Sequence, residues 1–506
     1  MLVAQAEGRS LALLALLAVG LVLGCDGSRT DSENAPGRPD VFLIVLDAAS
    51  ARYFGSYGES RPTTPEMDRL AEESVVFDSA YSQSATTVPS TVSLLTGVRG
   101  TTHQMSRQSV LPDGLEFAAE LFSSQGYRSL GFIGNPYAGA PELGLDRGYE
   151  EIVQLYALPE LQQGRAQEKS SGFRVTLPED LNGAVEAFLP GFADSETFAY
   201  FHYLQPHKPY DPPERFRALL EPESEGCTCA GISCPCGSLD WDILHDRFAA
   251  ANQAGQASAS TIGHLETRYR ANIRYADTGV GILLEGLRRQ GLYDESLIVL
   301  LADHGEAFFD HGRFGHNRTL YDDMVRIPLI MKFPRSAKVA PRRIGALVET
   351  VDVLPTLFDF IGFPVPASFE GKSLWPLIRD PESSPGRAHQ EVILATNRLD
   401  QHAIRVGSYK YIAYVDGREE LYDMAADPGE LHDLSEDEPQ RARVLRARLR
   451  AVVDFESVMP SSARNTLRSD PEMNELLEVL GYLREDDEDP TEGPPNVEGS
   501  PAALRD

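Results

Sequence analysis

The sequence predicts an α/β fold: a large, mixed but mostly parallel sheet between helices, with a smaller C-terminal α+β subdomain. Three observations carry that expectation. Val41–Leu46 and Leu297–Ala302 are uninterrupted apolar runs, as expected of strands covered on both faces. From Asp40 to about Asp380, strand-like and helix-like patterns alternate as in a doubly wound sheet. Each apolar run ends in an aspartate, Asp47 in one case and Asp303 in the other, the latter followed by His304-Gly305-Glu306. Ligands of open α/β sheets bind beyond the carboxyl ends of the strands, so two carboxylates and an imidazole there predict a divalent metal site.

The elements follow in order. Leu11–Leu23 is almost wholly apolar and closes on Gly24-Cys25. It is shorter than the roughly 20 residues a spanning helix needs, and it fits an export signal ending at a small residue. Its ending resembles the bacterial lipobox. On that reading residues 1–24 are a signal peptide, Cys25 is lipidated, and 25–39 form a polar tether. The body would then belong to the bacterial cell envelope, periplasmic or surface-facing, held to the membrane by an N-terminal lipid anchor. An uncleaved signal anchor is the alternative.

Thr63-Thr64-Pro65-Glu66 reads as a helix start, with proline at the first position and acids in the first turn. Phe198–Leu204 reads as another strand, running into Gln205-Pro206-His207. Arg268–Gln290 is an amphipathic helix that Gly291 ends as a C-cap. Residues 40–380 thus form the main domain, and Pro381–Gly386 reads as a linker. Residues 390–455 form an α+β appendage with strands at Ile404–Val406 and Tyr409–Ile412 and then a charged helix. The acidic, Pro/Gly-rich stretch 484–506 is expected to be disordered.

The 42% hydrophobic content is that of a globular enzyme, and the formal charge of −30 excludes nucleic acid as a natural partner. Four of the five cysteines crowd into Cys227–Cys236. In an exported protein such a local, even set reads as two disulfides, with the pairing open; Cys-x-Cys spacing also suits zinc or copper.

A series of landmarks then falls in a familiar order. Val41–Asp47, Tyr57-Gly58, Thr63-Thr64-Pro65 and Val88-Pro89-Ser90 with Leu94-Leu95-Thr96-Gly97 come first. Pro206-His207-Lys208-Pro209-Tyr210, Asp303-His304-Gly305-Glu306 and Gly315-His316 follow, and later Glu420-Leu421-Tyr422-Asp423. Over Asp40 to roughly Leu434 the chain resembles the sulfatase branch of the alkaline phosphatase superfamily. The resemblance implies a metal-dependent hydrolase of sulfate or phosphate esters, with glycan esters among the expected substrates. It also implies one divalent ion (Ca, Mn, Zn or Mg) held by Asp47, Thr87, Asp303 and His304. His207 would contact the transferred group, His316 would serve the leaving group, and Arg318 lies near the slot of an anion-binding lysine.

The chain departs from the sulfatase pattern at its centre. Sulfatases carry Cys or Ser followed by x-Pro-x-Arg and convert that first residue to formylglycine. Here Thr87-Val88-Pro89-Ser90-Thr91 holds threonine in the nucleophile slot and Thr91 in the arginine slot. Threonine cannot yield the aldehyde, so formylglycine is excluded. The resemblance extends, however, to phosphoethanolamine transferases, lipoteichoic acid synthases and nucleotide pyrophosphatases, which use a metal-bound threonine directly. A hydroxyl becomes nucleophilic when a cation stabilises its alkoxide. Pro89 suits a first helical turn, which would set Thr87 just before a helix N-terminus. Ala48 occupies the place of a second aspartate, and Asn135 falls where a Lys-Trp-His element is expected, from which it could still reach the site. His103 and His311 read as supporting residues. Two other functions remain open: a catalytically silent surface binding protein for sulfated or phosphorylated glycans, and a phosphoethanolamine-type phosphotransferase.

Overall fold

In the computed structural model the described residues are 38–107, 109–158, 175–220, 227–229, 232–234, 259–316, 319–380, 391–395 and 401–453. The export segment, Cys25, Arg318 and the acidic tail lie outside them.

The apolar runs form strands as expected. In chain order the large sheet uses β1 (Val41–Asp47), β2 (Val75–Tyr81), β3 (Arg128–Ile133), β4 (Glu151–Gln154) and β5 (Thr197–Pro206). A hairpin, β6 (Cys227–Cys229) and β7 (Ile232–Cys234), stands apart from it; the predicted disulfides involve side chains outside the described residues. Next come β8 (Leu297–Ala302), the short pair β9 (Ala307–Phe308) and β10 (Phe314–Gly315), then β11 (Arg326–Ile327), β12 (Leu329–Lys332) and β13 (Arg342–Glu349). The order β8-β1-β5-β3-β4 is parallel throughout. On the other flank β12 runs antiparallel between β8 and β2. β13 pairs along the whole of β2, so β11 and β12 share the opposite edge of β2, with Pro328 breaking the run between them.

Every residue of β1 and β8 is inaccessible to solvent, as the unbroken apolar runs require. Each such Val, Leu or Ile contributes about 1.5–3 kcal/mol by leaving water. The helix Ala259–Arg289 starts earlier than its periodicity over Arg268–Gln290 suggests. Leu265, Tyr269 and Ile273 continue one buried stripe at helical spacing, which the polar residues around them mask in the sequence. Gly291 follows with φ +71°, as a C-cap requires.

The C-terminal part is a four-stranded antiparallel sheet, β14 (Glu391–Ala395), β15 (Gln401–Val406), β16 (Tyr409–Tyr414) and β17 (Glu419–Asp423). The helix Pro439–Arg450 covers it through Ala442, Leu445 and Leu449, packed on Ile404, Tyr411 and Leu421. One apolar cluster joins this sheet to the main one: Tyr81 and Leu347 pack with Val392, Leu394 and Ile412. Lys410 is fully buried at that seam and pairs with Asp322 at 2.8 Å and Glu430 at 2.6 Å.

Candidate active site

β1 and β8 pair in parallel from Val41–Leu297 to Leu46–Ala302, so Asp47 and Asp303 leave the sheet side by side at its carboxyl edge. Backbone turns then aim them. Ala48 adopts left-handed backbone, φ +59°, and its N–H donates to Asp303 Oδ1 at 3.0 Å. The same oxygen accepts the His304 N–H at 2.7 Å, fixing one face of the carboxylate. The Tyr269 hydroxyl, from the long helix, donates to the Ala48 carbonyl and holds that turn.

His304 Nδ1 lies 2.9 Å from the Gly305 carbonyl, which can only accept, so this nitrogen carries a proton. Nε2 is therefore the atom able to present a lone pair. It stands 3.3 Å from Thr87 Oγ1, 3.5 Å from Asp303 Oδ2 and 3.7 Å from Asp47 Oδ1. Gly305 makes this turn possible. A Cβ there would stand 2.1 Å from the Asp323 carbonyl oxygen, a backbone atom that cannot move aside cheaply. Gly305→Ala is expected to cost about 1–3 kcal/mol in denaturant unfolding; an unchanged midpoint would contradict this packing.

Thr87 is the first residue of the helix Thr87–Thr96, with Thr86 as its N-cap, and not the residue before the helix. Pro89 sits in the first turn, where its missing N–H costs nothing. A serine network fixes this helix to the strand end: Ser82 Oγ meets Ser90 Oγ at 2.9 Å and donates to the Asp303 carbonyl. The Thr87 hydroxyl thus stands against His304 Nε2 at a helix N-terminus, where the backbone dipole favours an anion.

The four residues assigned to the ion by resemblance are therefore brought together, and they fit a cation. Asp47 Oδ1 and Asp303 Oδ2 are buried and meet no hydrogen-bond donor among the described residues. Without a cation, burial and the charge of Asp303 push Asp47 well above the usual carboxylate range, although an Asn135 hydrogen bond lowers it. Burial also pushes Asp303 upward, but the His304 and His202 imidazoles hold it down at about 2. Two buried carboxylates repelling in this way, with an imidazole and a hydroxyl alongside, make a hard, oxygen-rich donor set of the kind that suits Mn²⁺, Zn²⁺, Ca²⁺ or Mg²⁺.

Asn135 does reach the site: its Nδ2 donates to Asp47 Oδ2, and its Oδ1 accepts from Tyr137 N at 2.9 Å. The two loop histidines also converge. The His316 ring centroid is 4.6 Å from that of His304 and 4.9 Å from that of His207. His207 Nδ1 donates to the Lys208 carbonyl at 2.7 Å, and burial together with His316 holds its pKa well below the ordinary histidine value. His316 Nδ1 meets Glu306 Oε1 at 2.9 Å, while the Tyr210 hydroxyl donates to Glu306 Oε2 at 2.7 Å. The two remaining candidate histidines, His103 and His311, meet other partners. His103 bonds Ser93 Oγ at 2.8 Å, behind the threonine helix, and His311 stacks on Tyr321 at 3.6 Å.

Three residues near the centre escape the sequence reading. Glu306 stands in the Asp303–Glu306 motif, but a role as the partner of His316 follows only from the fold. Arg107 is 4% exposed, lies over the Tyr137 ring at 5.4 Å, and its charge draws on Asp47. It brings a cation that Thr91 cannot supply. His202 is hidden inside the apolar run of β5 and reaches to 3.9 Å from Asp303 Oδ2.

Comparison with known proteins agrees with this fold. The sulfatase family model matches residues 39–363, and the model of the N-sulphoglucosamine sulphohydrolase C-terminal region matches residues 309–454. A Δ4,5-hexuronate-2-O-sulfatase of Bacteroides thetaiotaomicron is 25% identical over 83% of this chain and 89% of its own length. An ulvan-active sulfatase of Formosa agariphila is also 25% identical, over 83% of this chain and 82% of its own length. Among solved structures, a phosphonate monoester hydrolase of Agrobacterium radiobacter superposes with TM-score 0.65 at 21% identity, covering 82% of this chain and 95% of that one. A protein solved in complex with its substrate D-glucosamine-2-N,6-O-disulfate gives TM-score 0.65 at 20% identity, covering 82% of this chain and 97% of that one. At such identities the structures speak to the fold alone. The extent of the family match is decisive: the chain belongs to the sulfatase family of ester-hydrolysing enzymes.

Proposed function

We propose that this protein is a metal-dependent hydrolase of sulfate or phosphate esters in which Thr87 is the nucleophile and formylglycine plays no part. The observation that carries the proposal is the placement of Thr87 Oγ1, 3.3 Å from His304 Nε2 at a helix N-terminus and beside two buried carboxylates. Asp47, Asp303, His304 and Thr87 would hold one divalent cation, which on binding lowers the pKa of the threonine hydroxyl and screens negative charge.

Thr87 Oγ would attack sulfur or phosphorus, and the ester oxygen would leave on the far side. His316 would give that oxygen its proton, then take one from the water that frees Thr87. Glu306, fixed by Tyr210, keeps the His316 ring oriented and stabilises its protonated form. His207 and Arg107 line the remaining approach, and Arg107 supplies positive charge for the equatorial oxygens. The threonine favours a phosphoryl or phosphonyl group over a sulfuryl group, because the threonine-using enzymes that the chain resembles act on phosphorus. The relatives' names favour sulfated glycans.

Turnover of 4-nitrophenyl sulfate, phosphate, phenylphosphonate and the bis-phosphodiester, with Ca²⁺, Mn²⁺ or Zn²⁺ added in turn, tests the proposal. Metal-dependent release of 4-nitrophenol from at least one ester, abolished by chelator and restored by the ion, is expected. No turnover and no stoichiometric ion would leave a silent binding protein as the better reading. Glu306→Gln is expected to lower kcat about 10²- to 10⁴-fold on esters with poor alkoxide leaving groups, and far less on 4-nitrophenyl esters. Equal losses on both would remove His316 from leaving-group chemistry.

Export and lipidation at Cys25 belong to the same reading, supported by the apolar segment that ends in Gly24-Cys25. Metabolic labelling with a fatty acid should mark the chain and be lost in Cys25→Ser.

A further inference from the structure

We propose that His202 is a further ligand of the cation, supplied by β5 in place of the carboxylate missing at Ala48. The inference rests on the metal site proposed above and extends it to a residue outside the set implied by resemblance.

His202 stands on β5 opposite Val45 of β1, one strand away from Asp47 and on the same face as that aspartate. Its side chain is 0% exposed, and neither ring nitrogen has a hydrogen-bond partner among the described residues. A buried imidazole with both nitrogens unsatisfied costs about 1–3 kcal/mol per group, and a folded protein keeps such a residue where it has a further partner.

That partner is indicated by what the ring faces. Donor atoms of Asp47, His202 and Asp303 all lie within 4.8 Å of one another, and all three residues are buried. Donors sharing one ion, at bonds of about 2.0–2.6 Å, lie within about 5 Å of each other. The two carboxylate oxygens that lack donors, Asp47 Oδ1 and Asp303 Oδ2, belong to this same trio. Asp303 Oδ2 lies between two imidazoles, 3.5 Å from His304 Nε2 and 3.9 Å from His202 Nε2.

Ala48 itself cannot contribute a side-chain ligand. Its N–H and carbonyl are committed to Asp303 and Tyr269, so this position holds the turn but leaves the ion one donor short of the two-aspartate pattern. An imidazole from the neighbouring strand fills that deficit. It also adds a second nitrogen to a donor set that already holds His304 Nε2, which favours Mn²⁺ or Zn²⁺ over Ca²⁺.

The test compares the full chain with His202→Ala and His202→Asn by equilibrium dialysis against Mn²⁺ and Zn²⁺, with X-ray absorption on the zinc-loaded proteins. Wild type should show two imidazoles on zinc and either variant one, with affinity falling about 10- to 100-fold. Truncating this buried ring leaves a cavity that lowers the metal-free Tm by itself, so the reading is the rise in Tm on adding metal, which should shrink in both variants. Unchanged affinity and imidazole count in both variants, in a wild type that binds metal, would make His202 a packing residue. A wild type that binds no ion would sink the metal site itself and this inference with it.

Discussion

Replacing Thr87 by alanine is expected to lower kcat by about 10⁴-fold or more on every ester the protein turns over, as losing a nucleophile does. The fold should survive, because the helix Thr87–Thr96 is anchored by Ser90 through Ser82 to the Asp303 carbonyl and not by the Thr87 hydroxyl. KM should change little, since the hydroxyl acts on the reacting atom and contributes little to ground-state binding. Thr87→Ser keeps the hydroxyl and should recover a large part of the rate. Full activity in Thr87→Ala would mean that water attacks directly, leaving the threonine as a plain helix residue.

Asp303→Asn should be comparably damaging by a different route. The substitution preserves shape, and the amide oxygen can still accept from Ala48 N and His304 N, as Asp303 Oδ1 does at 3.0 and 2.7 Å. What it removes is the negative charge on the edge that faces His304 and His202. Metal affinity should therefore fall by at least about 10- to 100-fold, and turnover at low metal should vanish with it. Raising the metal concentration should restore part of the activity, which no amount of metal can do for Thr87→Ala. If Asp303→Asn binds metal as wild type does, the cation lies elsewhere.

Much of this centre was legible in the sequence because it lies where strands end. An apolar run followed by aspartate marks both a buried strand and its functional edge, so Asp47 and Asp303 stood out without any structure. The alternation of patterns gave the parallel sheet, and Thr87-Val88-Pro89 gave a helix start, displaced by one residue because Thr86 serves as the cap. His202 was hidden for the opposite reason. A histidine within Phe198–Leu204 looks like a satisfied core residue, and only the pairing of β5 with β1 places it beneath the aspartates. Arg107 lies in a polar stretch without periodicity, so nothing in its neighbourhood signals that it folds back over Tyr137. Glu306 was visible as part of a motif, whereas its partner His316 arrives from a loop ten residues on. Pairings of that kind depend on tertiary closure, which local patterning does not encode.

The central claim, a threonine nucleophile in a sulfatase fold, is tested most directly by mass spectrometry of the Thr87 peptide. The protein would be loaded with metal, mixed with its best ester and quenched in acid within a single turnover. The account predicts a phosphoryl or sulfuryl group on Thr87 that accumulates and then decays as product forms, and that is absent from Thr87→Ala. Rapid turnover with Thr87 unmodified at every time point, and undiminished in the alanine variant, would contradict it.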